Sequence, residues 1–274
     1  MKWLRIGWRI YQSARGAMND HSNKGVVVTG AGNGIGRGIA ERFIKEGAHV
    51  VLLDINEAAV TSLADSLGSK AHAVVGDVRN ESEIQVAIDM VVKHAGALDI
   101  MVNNAGIIAI SPIVETDRDS WMRILDINVI GIALGSKLAA KQMILQGNGG
   151  VLVNASSGGG RHGVANLSQY CASKAAIIMM SQSLALELAP HKIRVNCYTP
   201  GHIMTPLWDD IADGMSTKLG QTRDQTLDTF LETVPWGRFG TPADVAASVS
   251  WLCTDDAEYI SGQCIAMNGA ELPW

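Results

Sequence analysis

Tyr170 and Lys174 are the residues of this sequence whose types and spacing most directly indicate chemistry. They stand four positions apart, so on a helix their side chains lie on one face, one above the other. A free tyrosine has a pKa near ~10, too high for a base at neutral pH, and a neighbouring ammonium group favours its phenolate form. The pair therefore predicts a tyrosine that transfers a proton. Ser157 precedes Tyr170 by thirteen residues and follows the apolar run Gly150–Val153, where α/β enzymes place reactive groups.

The elements that must position these side chains alternate along the chain from Lys24 onward. Short runs of β-branched and aliphatic residues are separated by segments whose apolar residues recur every three or four positions. This alternation is typical of a doubly wound parallel sheet, here a seven-stranded Rossmann-type sheet in a single α/β domain. With neither a linker nor an internal repeat, we expect a catalytic domain over residues 24–274 behind an N-terminal extension, residues 1–23.

A glycine-rich segment, Thr29–Gly36, separates the first predicted strand from the first predicted helix. Ile35, Ile39 and Phe43 recur every four residues and define one face of that helix. A turn of this kind lets the backbone approach a pyrophosphate, which binds at the helix N-terminus. The strand before the turn and the helix after it provide the context in which a glycine motif predicts dinucleotide binding.

The second predicted strand, Ala48–Asp54, ends in a carboxylate. Asp54 follows Gly30 by 24 residues, close to the spacing of about 20 at which dinucleotide-binding folds place the acid that binds the adenosine ribose. A surface loop acid is the alternative, but the position at a strand end favours the ligand. A carboxylate there repels a 2′-phosphate, so we predict NAD as the cofactor rather than NADP.

Polar residues also follow the third and fourth predicted strands, at Asp77 and at Asn103–Gly106. Because parallel strands end at one edge of a sheet, these residues suit a cofactor that lies across that edge. Thr116 or Asp117 is expected to cap the next helix, on which Asn128 lies on an otherwise apolar face. A buried amide must be hydrogen-bonded, because leaving it unpaired costs ~1–3 kcal/mol. We predict a functional role for Asn128.

The composition excludes several other classes of protein. A net charge of −5 gives no basis for nucleic-acid binding, and no uncharged apolar run reaches the ~20 residues of a membrane span. The four cysteines are far apart with no histidine at ligand spacing, so we expect neither a metal site nor disulfides. Buried thiols in a reducing, cytoplasmic compartment are the preferred interpretation.

The first seventeen residues interleave Lys2, Arg5 and Arg9 with Trp3 and Trp8. One interpretation is a basic amphipathic helix that lies on a membrane, or a targeting segment. The other is an extension, upstream of a start at Met18, that plays no part in the fold. The apolar stretch is too broken for a signal-peptide core, which favours the second. We expect residues 1–22 to be dispensable.

With these motifs assembled, the chain from about Lys24 to Ala270 resembles the short-chain dehydrogenase/reductase family. The resemblance rests on Thr29–Gly36, Asn103–Gly106, Asn128, Ser157, Tyr170, Lys174, Pro200-Gly201, Thr205, Gly237-Arg238 and Gly262-Gln263. One departure is Asn268-Gly269-Ala270, where the family usually has Asp-Gly-Gly. We expect this departure to affect C-terminal packing or a subunit contact and to leave the chemistry unchanged.

The resemblance implies roles for these residues. Tyr170 would be the general base in oxidation and the acid in reduction, and Lys174 would lower the pKa of Tyr170 and bind the nicotinamide ribose. Ser157 would hold the substrate oxygen, and Asn128 would anchor a water molecule that carries the proton out. The cofactor contacts implied are Gly30, Asn33, Gly34, Ile35, Gly36, Asp54, Asp77, Val78, Asn104, Ala105, Gly106, Tyr170, Lys174, Pro200, Gly201, Ile203 and Thr205. A homodimer or homotetramer is implied as well.

The substrate is predicted from the less regular stretch between His202 and Trp236, interpreted as a lid. It resembles enzymes of sugar alcohols, sorbitol-type polyols and acetoin or butanediol, with Arg161, His162 and Asp209 as candidate polar wall residues. We therefore expect NAD-dependent interconversion of a secondary alcohol and a ketone. Two alternatives are a 3-oxoacyl carrier-protein reductase and a non-catalytic dinucleotide-binding sensor or scaffold.

Overall fold

A computed structural model describes residues 19–206, 208, 212, 214–216 and 220–272. It confirms the predicted α/β domain built on one parallel, seven-stranded sheet. The strands are β1 (Gly25–Thr29), β2 (His49–Asp54), β3 (Ala71–Val75), β4 (Ile100–Asn103), β5 (Gly150–Ala155), β6 (Ile193–Pro200) and β7 (Cys264–Met267). The predicted strands all exist, with bounds that shift by at most two residues.

Eight α-helices lie in the described part of the chain. They are α1 (Gly34–Lys45), α2 (Glu57–Leu67), α3 (Glu81–Ala95), α4 (Arg118–Leu125), α5 (Gly131–Gln146), α6 (Ser168–Leu188), α7 (Arg223–Glu232) and α8 (Pro242–Leu252). Asp117 caps α4, because its carboxylate accepts the backbone N–H of Ser120 at 2.8 Å. One feature was not predicted: a π-helical turn, Asp126–Ile130, joins α4 to α5.

The strand order, β3-β2-β1-β4-β5-β6-β7, reverses direction between β1 and β4. Strands added after β1 extend the sheet to one side, and strands from β4 onward extend it to the other. The connections therefore diverge at the carboxyl ends of β1 and β4 and leave a crevice there. Val28 is paired with Val102 in this region, so the segments that follow the two strands begin side by side.

The core consists of two apolar layers, one on each face of the sheet. Val26 and Val28 pack with Phe43 of α1 on one face, whereas Val27 packs with Ile88 of α3 on the other. This is the period of two expected of a strand that is buried on both sides. All five side chains are completely buried. The rigid sheet that results holds the strand ends in fixed relative positions.

A chain of buried polar side chains ties the helices to the centre of the sheet. Asn103 donates to Asn154 Oδ1 at 2.9 Å and to Ser136 Oγ at 3.1 Å, and Asn154 donates to Ser181 Oγ at 3.0 Å. The four residues come from β4, β5, α5 and α6. Because buried amides are costly to leave unpaired, these bonds determine how the two long helices sit against the strands. The Tyr170–Lys174 segment belongs to α6.

The last residues of the predicted N-terminal extension are part of the folded body. His21 is 2 % exposed, its ring contacts Phe43 edge-on with centroids 4.9 Å apart, and its Nε2 lies 3.2 Å from the Ser250 carbonyl oxygen. Asn19 donates to Ser250 Oγ at 2.7 Å. The segment 19–23 therefore bridges α1 and α8. The membrane interpretation of residues 1–17 lies outside the described residues.

Two N-terminal truncations are expected to behave differently. Removing residues 1–18 should leave the urea midpoint unchanged, whereas removing residues 1–23 should lower the free energy of unfolding by about 1–3 kcal/mol. The Glu46 side chain is fully buried and lies 3.8 Å from the His21 imidazole. The second deletion removes this imidazole, so the buried Glu46 carboxylate loses one of its partners. Urea denaturation followed by circular dichroism measures both. Equal midpoints for the two truncations would contradict this assignment.

The four cysteines are unpaired thiols, of which Cys197 and Cys253 are buried and Cys171 and Cys264 are half-buried. Across the described residues, no helix has both the length and the apolar character needed to span a bilayer.

Candidate active site

Two adjoining cavities open at the carboxyl edge of the sheet. The first, here called the cleft, has a volume of about 300 Å³ and runs from Asp54 past the glycine-rich turn to Lys174. The second, here called the side pocket, has a volume of about 200 Å³ and is lined in part by Ser157. Tyr170 lines both cavities. A group bound in the cleft and a molecule in the side pocket would therefore meet at its hydroxyl.

The glycine-rich turn after β1 is held by the segment after β4. Gly30 has a φ of +63°, a conformation that glycine adopts at little cost. The amide of Asn104 donates to the carbonyls of Thr29 and Gly30 at 3.0 and 3.1 Å, and its oxygen accepts the Tyr198 hydroxyl at 2.8 Å. Tyr198 is not among the predicted site residues, because in the sequence it looks like an ordinary strand residue.

Gly36 serves packing and does not line the cleft. A Cβ at this position would overlap the carbonyl oxygen of Gly30 and the side chain of Asn104. Only glycine therefore lets α1 start this close to β1, as expected of the third glycine in such a turn. Contact between the Gly36 backbone and a cofactor stays a prediction.

Asp54 closes the other end of the cleft. Its Oδ2 accepts the backbone N–H of Gly32 at 2.9 Å, and its Oδ1 accepts that of Asn56 at 2.9 Å. Both bonds leave lone pairs on the carboxylate, which accepts about four in total. The side chain is half-buried and lines the cleft. Asp54 therefore lies at the position predicted for the acid that binds the adenosine ribose.

Asp77 and Val78 do not line the cleft. The carboxylate of Asp77 accepts hydrogen bonds from the Arg79 guanidinium, which lower the pKa of Asp77. Val78 is buried against the first residue of α5, Gly131, where an added Cβ would lie 2.7 Å from Val78 Cγ2. Their side chains therefore support the loop after β3, and contact with a cofactor stays a prediction for their backbone.

The remaining predicted cofactor residues are divided between the two cavities. Those that line the cleft are Gly30, Asn33, Gly34, Ile35, Asp54, Asn104, Ala105, Gly106, Tyr170, Lys174, Pro200 and Thr205. Gly201 and Ile203 line the side pocket. The sequence motifs, which are spread over 176 positions from Gly30 to Thr205, thus converge on one crevice.

Tyr170, Lys174 and Ser157 meet where the two cavities join. Lys174 is 4 % exposed, its Nζ lies 5.7 Å from the centroid of the Tyr170 ring, and it donates to the Ala155 carbonyl at 2.9 Å. Ser157 Oγ accepts the N–H of Gly159 at 3.2 Å. A further hydrogen bond joins the side chains of Ser157 and Tyr170. The predicted triad is therefore assembled.

Burial dominates the proton affinities of this triad. It raises the pKa of Tyr170, against the opposing effect of the Ser157 hydrogen bond, and it lowers the pKa of Lys174 to about 8. Desolvation therefore decides the direction of the Tyr170 pKa shift in the free protein. That Lys174 lowers the pKa of Tyr170 stays a prediction. At neutral pH Tyr170 carries its proton, the form that an acid in ketone reduction requires.

Asn128 lies in the π-helical turn and is completely buried. Its Oδ1 accepts the N–H of Ile107 at 2.8 Å, and its Nδ2 donates to the Ile107 carbonyl at 2.9 Å and to Ser173 Oγ at 3.0 Å. Both N–H groups are used, so the side chain has one oxygen lone pair left for water. Asn128 therefore positions the segment after β4, and the proton-carrying water stays a prediction.

The walls of the side pocket are largely apolar, which the sequence did not indicate. They are formed by Ile108, Ile110, Val164, Leu167, Trp208, Met215, Phe230 and Leu272. The candidate polar residues Arg161 and His162 are exposed and are not part of this wall, and Arg161 donates to the Cys264 carbonyl at 2.9 Å. Asp209 lies outside the described residues. Instead, His202 and Glu271 provide polar groups.

The comparison with known protein families gives one match, described as "Enoyl-(Acyl carrier protein) reductase", over residues 30–269. This match covers most of the chain and every residue that lines the two cavities except Glu271 and Leu272. The chain belongs to the short-chain dehydrogenase/reductase family. It is therefore an oxidoreductase of the kind that acts on CH–OH groups. The expectation drawn from the motifs is confirmed at this level.

Similar members of the family carry names from several substrate classes. The chain is 36 % identical over 252 residues to a diacetyl reductase [(S)-acetoin forming] from Staphylococcus epidermidis, which covers 90 % of this chain and 98 % of the relative. It is 37 % identical over 248 residues to a galactitol 2-dehydrogenase from Agrobacterium fabrum, covering 90 % and 97 %. A crystal structure of a 3-ketoacyl-(acyl-carrier-protein) reductase from Brucella melitensis, complexed with NADH, has a TM-score of 0.80 at 32 % identity, covering 91 % and 98 %.

The residues of the cleft fit the nicotinamide dinucleotide that this family binds. The turn at Gly30 and Gly34 lets a pyrophosphate approach the backbone. Asp54 lies where a carboxylate is needed to bind the hydroxyls of the adenosine ribose. When bound, the nicotinamide supplies the hydride. Of the chain's own groups, Tyr170 would transfer the proton of the substrate hydroxyl and Ser157 would hold the substrate oxygen. Lys174 would bind the nicotinamide ribose.

Proposed function

We propose that this short-chain dehydrogenase/reductase interconverts a small vicinal diol and its hydroxyketone, such as butane-2,3-diol and acetoin, with NAD. The observation that carries the proposal is the side pocket, about 200 Å³ in volume, whose lining combines Ser157 and Tyr170 with largely apolar walls. Such a pocket suits a short carbon skeleton with methyl groups. Similarity to the diacetyl reductase supports the same substrate class.

The apolar walls argue for diols over hexitols within the broader class of polyols. Each hydroxyl that is buried without a partner costs about 1–3 kcal/mol. Apart from the catalytic Ser157 and Tyr170, the polar side chains of the described wall are Thr205, His202 and Glu271. These side chains are too few to pair with the six hydroxyls of a hexitol. Of the substrates predicted from the sequence, the pocket therefore favours small diols over sugar alcohols.

A substrate panel tests this proposal. We expect kcat/KM with NAD to be at least about tenfold higher for butane-2,3-diol than for sorbitol or galactitol, since one unpaired buried hydroxyl already has that effect. The same assays, run in the reverse direction, compare acetoin and diacetyl with a 3-oxoacyl thioester. A 3-oxosteroid serves as a bulky apolar control. Faster turnover of the thioester or the steroid than of every diol and hydroxyketone would contradict the proposal.

A 3-oxoacyl carrier-protein reductase is the second candidate, and the apolar walls favour it as well. Residues such as Ile110, Leu167 and Phe230 would suit an acyl chain. The resemblance of the whole chain to the Brucella melitensis structure supports this alternative. Against it stands Glu271, an acidic wall residue with no role for a hydrocarbon. A non-catalytic sensor would bind dinucleotide but turn over none of the panel, and the assembled triad opposes that function.

We also propose that the chain works as a homo-oligomer in the reducing cytoplasm. Large apolar side chains are exposed on its two longest described helices, with Leu145 81 % exposed on α5 and Leu186 82 % exposed on α6. Burial of such side chains between subunits would remove their apolar surface from water. Light scattering coupled to gel filtration should give a mass of two or four times 29.1 kDa. A monomeric mass would contradict this proposal.

A further inference from the structure

His202 and Glu271 form a polar pair in the wall of the otherwise apolar side pocket. Their Nε2 and Oε1 atoms are 3.2 Å apart, and their side chains are 17 % and 13 % exposed. Both residues line the pocket. Apart from Tyr170, they are the ionisable side chains among the described residues of this wall. A pair of such groups is costly to desolvate, so its presence calls for a reason.

The His202 ring is held rigidly by its surroundings. Trp208 and Phe230 contact it edge-on, with centroid distances of 4.6 and 5.2 Å. The backbone carbonyl of His202 accepts the N–H of Gly240 at 2.9 Å, which ties the segment after β6 to the residues before α8. Burial lowers the pKa of His202 to about 4, so the imidazole is neutral at pH 7. A neutral imidazole offers one N–H donor in a fixed direction.

Glu271 is held by the segment that departs from the family pattern. Asn268 donates from Nδ2 to the Leu272 carbonyl at 3.0 Å, and its Oδ1 accepts the N–H of Ala270 at 3.2 Å. The following Leu272 packs beside Gly158, where an added Cβ would lie 3.3 Å from Leu272 Cδ1. Together these contacts form a turn that brings Glu271 and Leu272 to the pocket. The expectation that the departure leaves the chemistry unchanged stays a prediction.

The chemistry of the pair selects one class of group. A carboxylate oxygen in an apolar wall accepts a hydrogen bond from a hydroxyl, and the neutral imidazole on its other side keeps its orientation. A carboxylate or phosphate on the substrate would meet like charge in a low-dielectric wall and would be repelled. The matching ligand is therefore uncharged and carries a hydroxyl away from the reacting carbon.

We propose that the His202–Glu271 pair recognises the second hydroxyl of the substrate, the one that is not oxidised. This inference rests on the proposed function, because it presupposes a diol or hydroxyketone in the side pocket. It assigns Glu271 as the specificity-determining residue and His202 as the residue that positions it. The alternative is that the pair only anchors the C-terminal turn. In that case its loss would affect all substrates equally.

Two alcohols that differ by one hydroxyl separate these alternatives. Butane-2,3-diol and butan-2-ol are assayed with NAD on the wild type, on Glu271→Leu and on Glu271→Gln. Glu271→Leu should lower kcat/KM for the diol by about 10- to 100-fold, the range expected for a hydrogen bond to a charged group. It should leave kcat/KM for butan-2-ol within about threefold, because that molecule has no group to lose. Glu271→Gln keeps one acceptor oxygen and should give an intermediate loss on the diol alone.

The control is Glu258→Gln, which neutralises an exposed carboxylate after α8 and should change neither substrate. Thermal melting of each variant distinguishes a specific effect from unfolding, and Glu271→Gln carries the test should the leucine variant melt early. Equal losses on both alcohols would overturn the inference while leaving the proposed function intact. Failure of the wild type to oxidise either alcohol, with turnover of the 3-oxoacyl thioester, would overturn the proposed function and the inference together.

Discussion

Replacement of Tyr170 by phenylalanine should reduce turnover by about 10²- to 10⁴-fold, the contribution typical of a general acid–base group. The aromatic ring keeps its place between the two cavities. The substitution removes only the hydroxyl, which is hydrogen-bonded to Ser157. Binding of NADH, followed by its fluorescence, should change little. Steady-state assays in both directions measure the effect, and a loss of less than tenfold would contradict the assignment.

The matched control is Tyr259→Phe, which removes the hydroxyl of a fully exposed tyrosine and should leave activity unchanged. The pH profile provides a second test. Burial raises the pKa of Tyr170, so its phenolate fraction grows as the pH rises, and alcohol oxidation should accelerate from pH 7 towards pH 10. Ketone reduction uses the protonated form and should not show this rise. The residual alcohol oxidation by Tyr170→Phe should not rise with pH in this way.

Removal of the charge at Asp54 should strongly reduce the predicted preference for NAD over NADP. Two unit charges 4 Å apart repel each other by ~4 kcal/mol at an effective dielectric constant of 20. A 2′-phosphate beside this carboxylate should therefore cost the wild type at least about 100-fold in kcat/KM. Asp54→Ala should narrow that ratio by about tenfold or more. The measurement is kcat/KM for both cofactors on both proteins.

The alanine variant also removes the bonds that Asp54 accepts from Gly32 and Asn56, so activity with NAD should fall as well. Asp54→Asn separates the two effects, because it keeps the size and one acceptor oxygen and removes only the charge. It should narrow the cofactor ratio while retaining more activity with NAD than the alanine variant. A wild-type preference for NADP would refute the assignment of Asp54.

Sequence patterns alone were sufficient to predict the fold and to select the candidate reacting groups that the structure brings together. A strand buried on both faces has a continuous apolar run, and a helix repeats its apolar face every three or four residues, so both are visible locally. The Tyr170–Lys174 spacing, the glycine turn at Gly30 and the acid at Asp54 are likewise local, and the ends of parallel strands meet at one edge. Convergence of these motifs on one crevice was therefore predictable.

Only the tertiary structure decided the proton affinities and the character of the side pocket. Desolvation is a property of the assembled surroundings, so the raised pKa of Tyr170 and the lowered pKa of Lys174 are not encoded in their spacing. The pocket wall combines residues as distant as Ile108 and Glu271, and helical or strand periodicity carries no information on such contacts. In the same way, the burial of His21 depends on α8, more than 200 residues further along the chain.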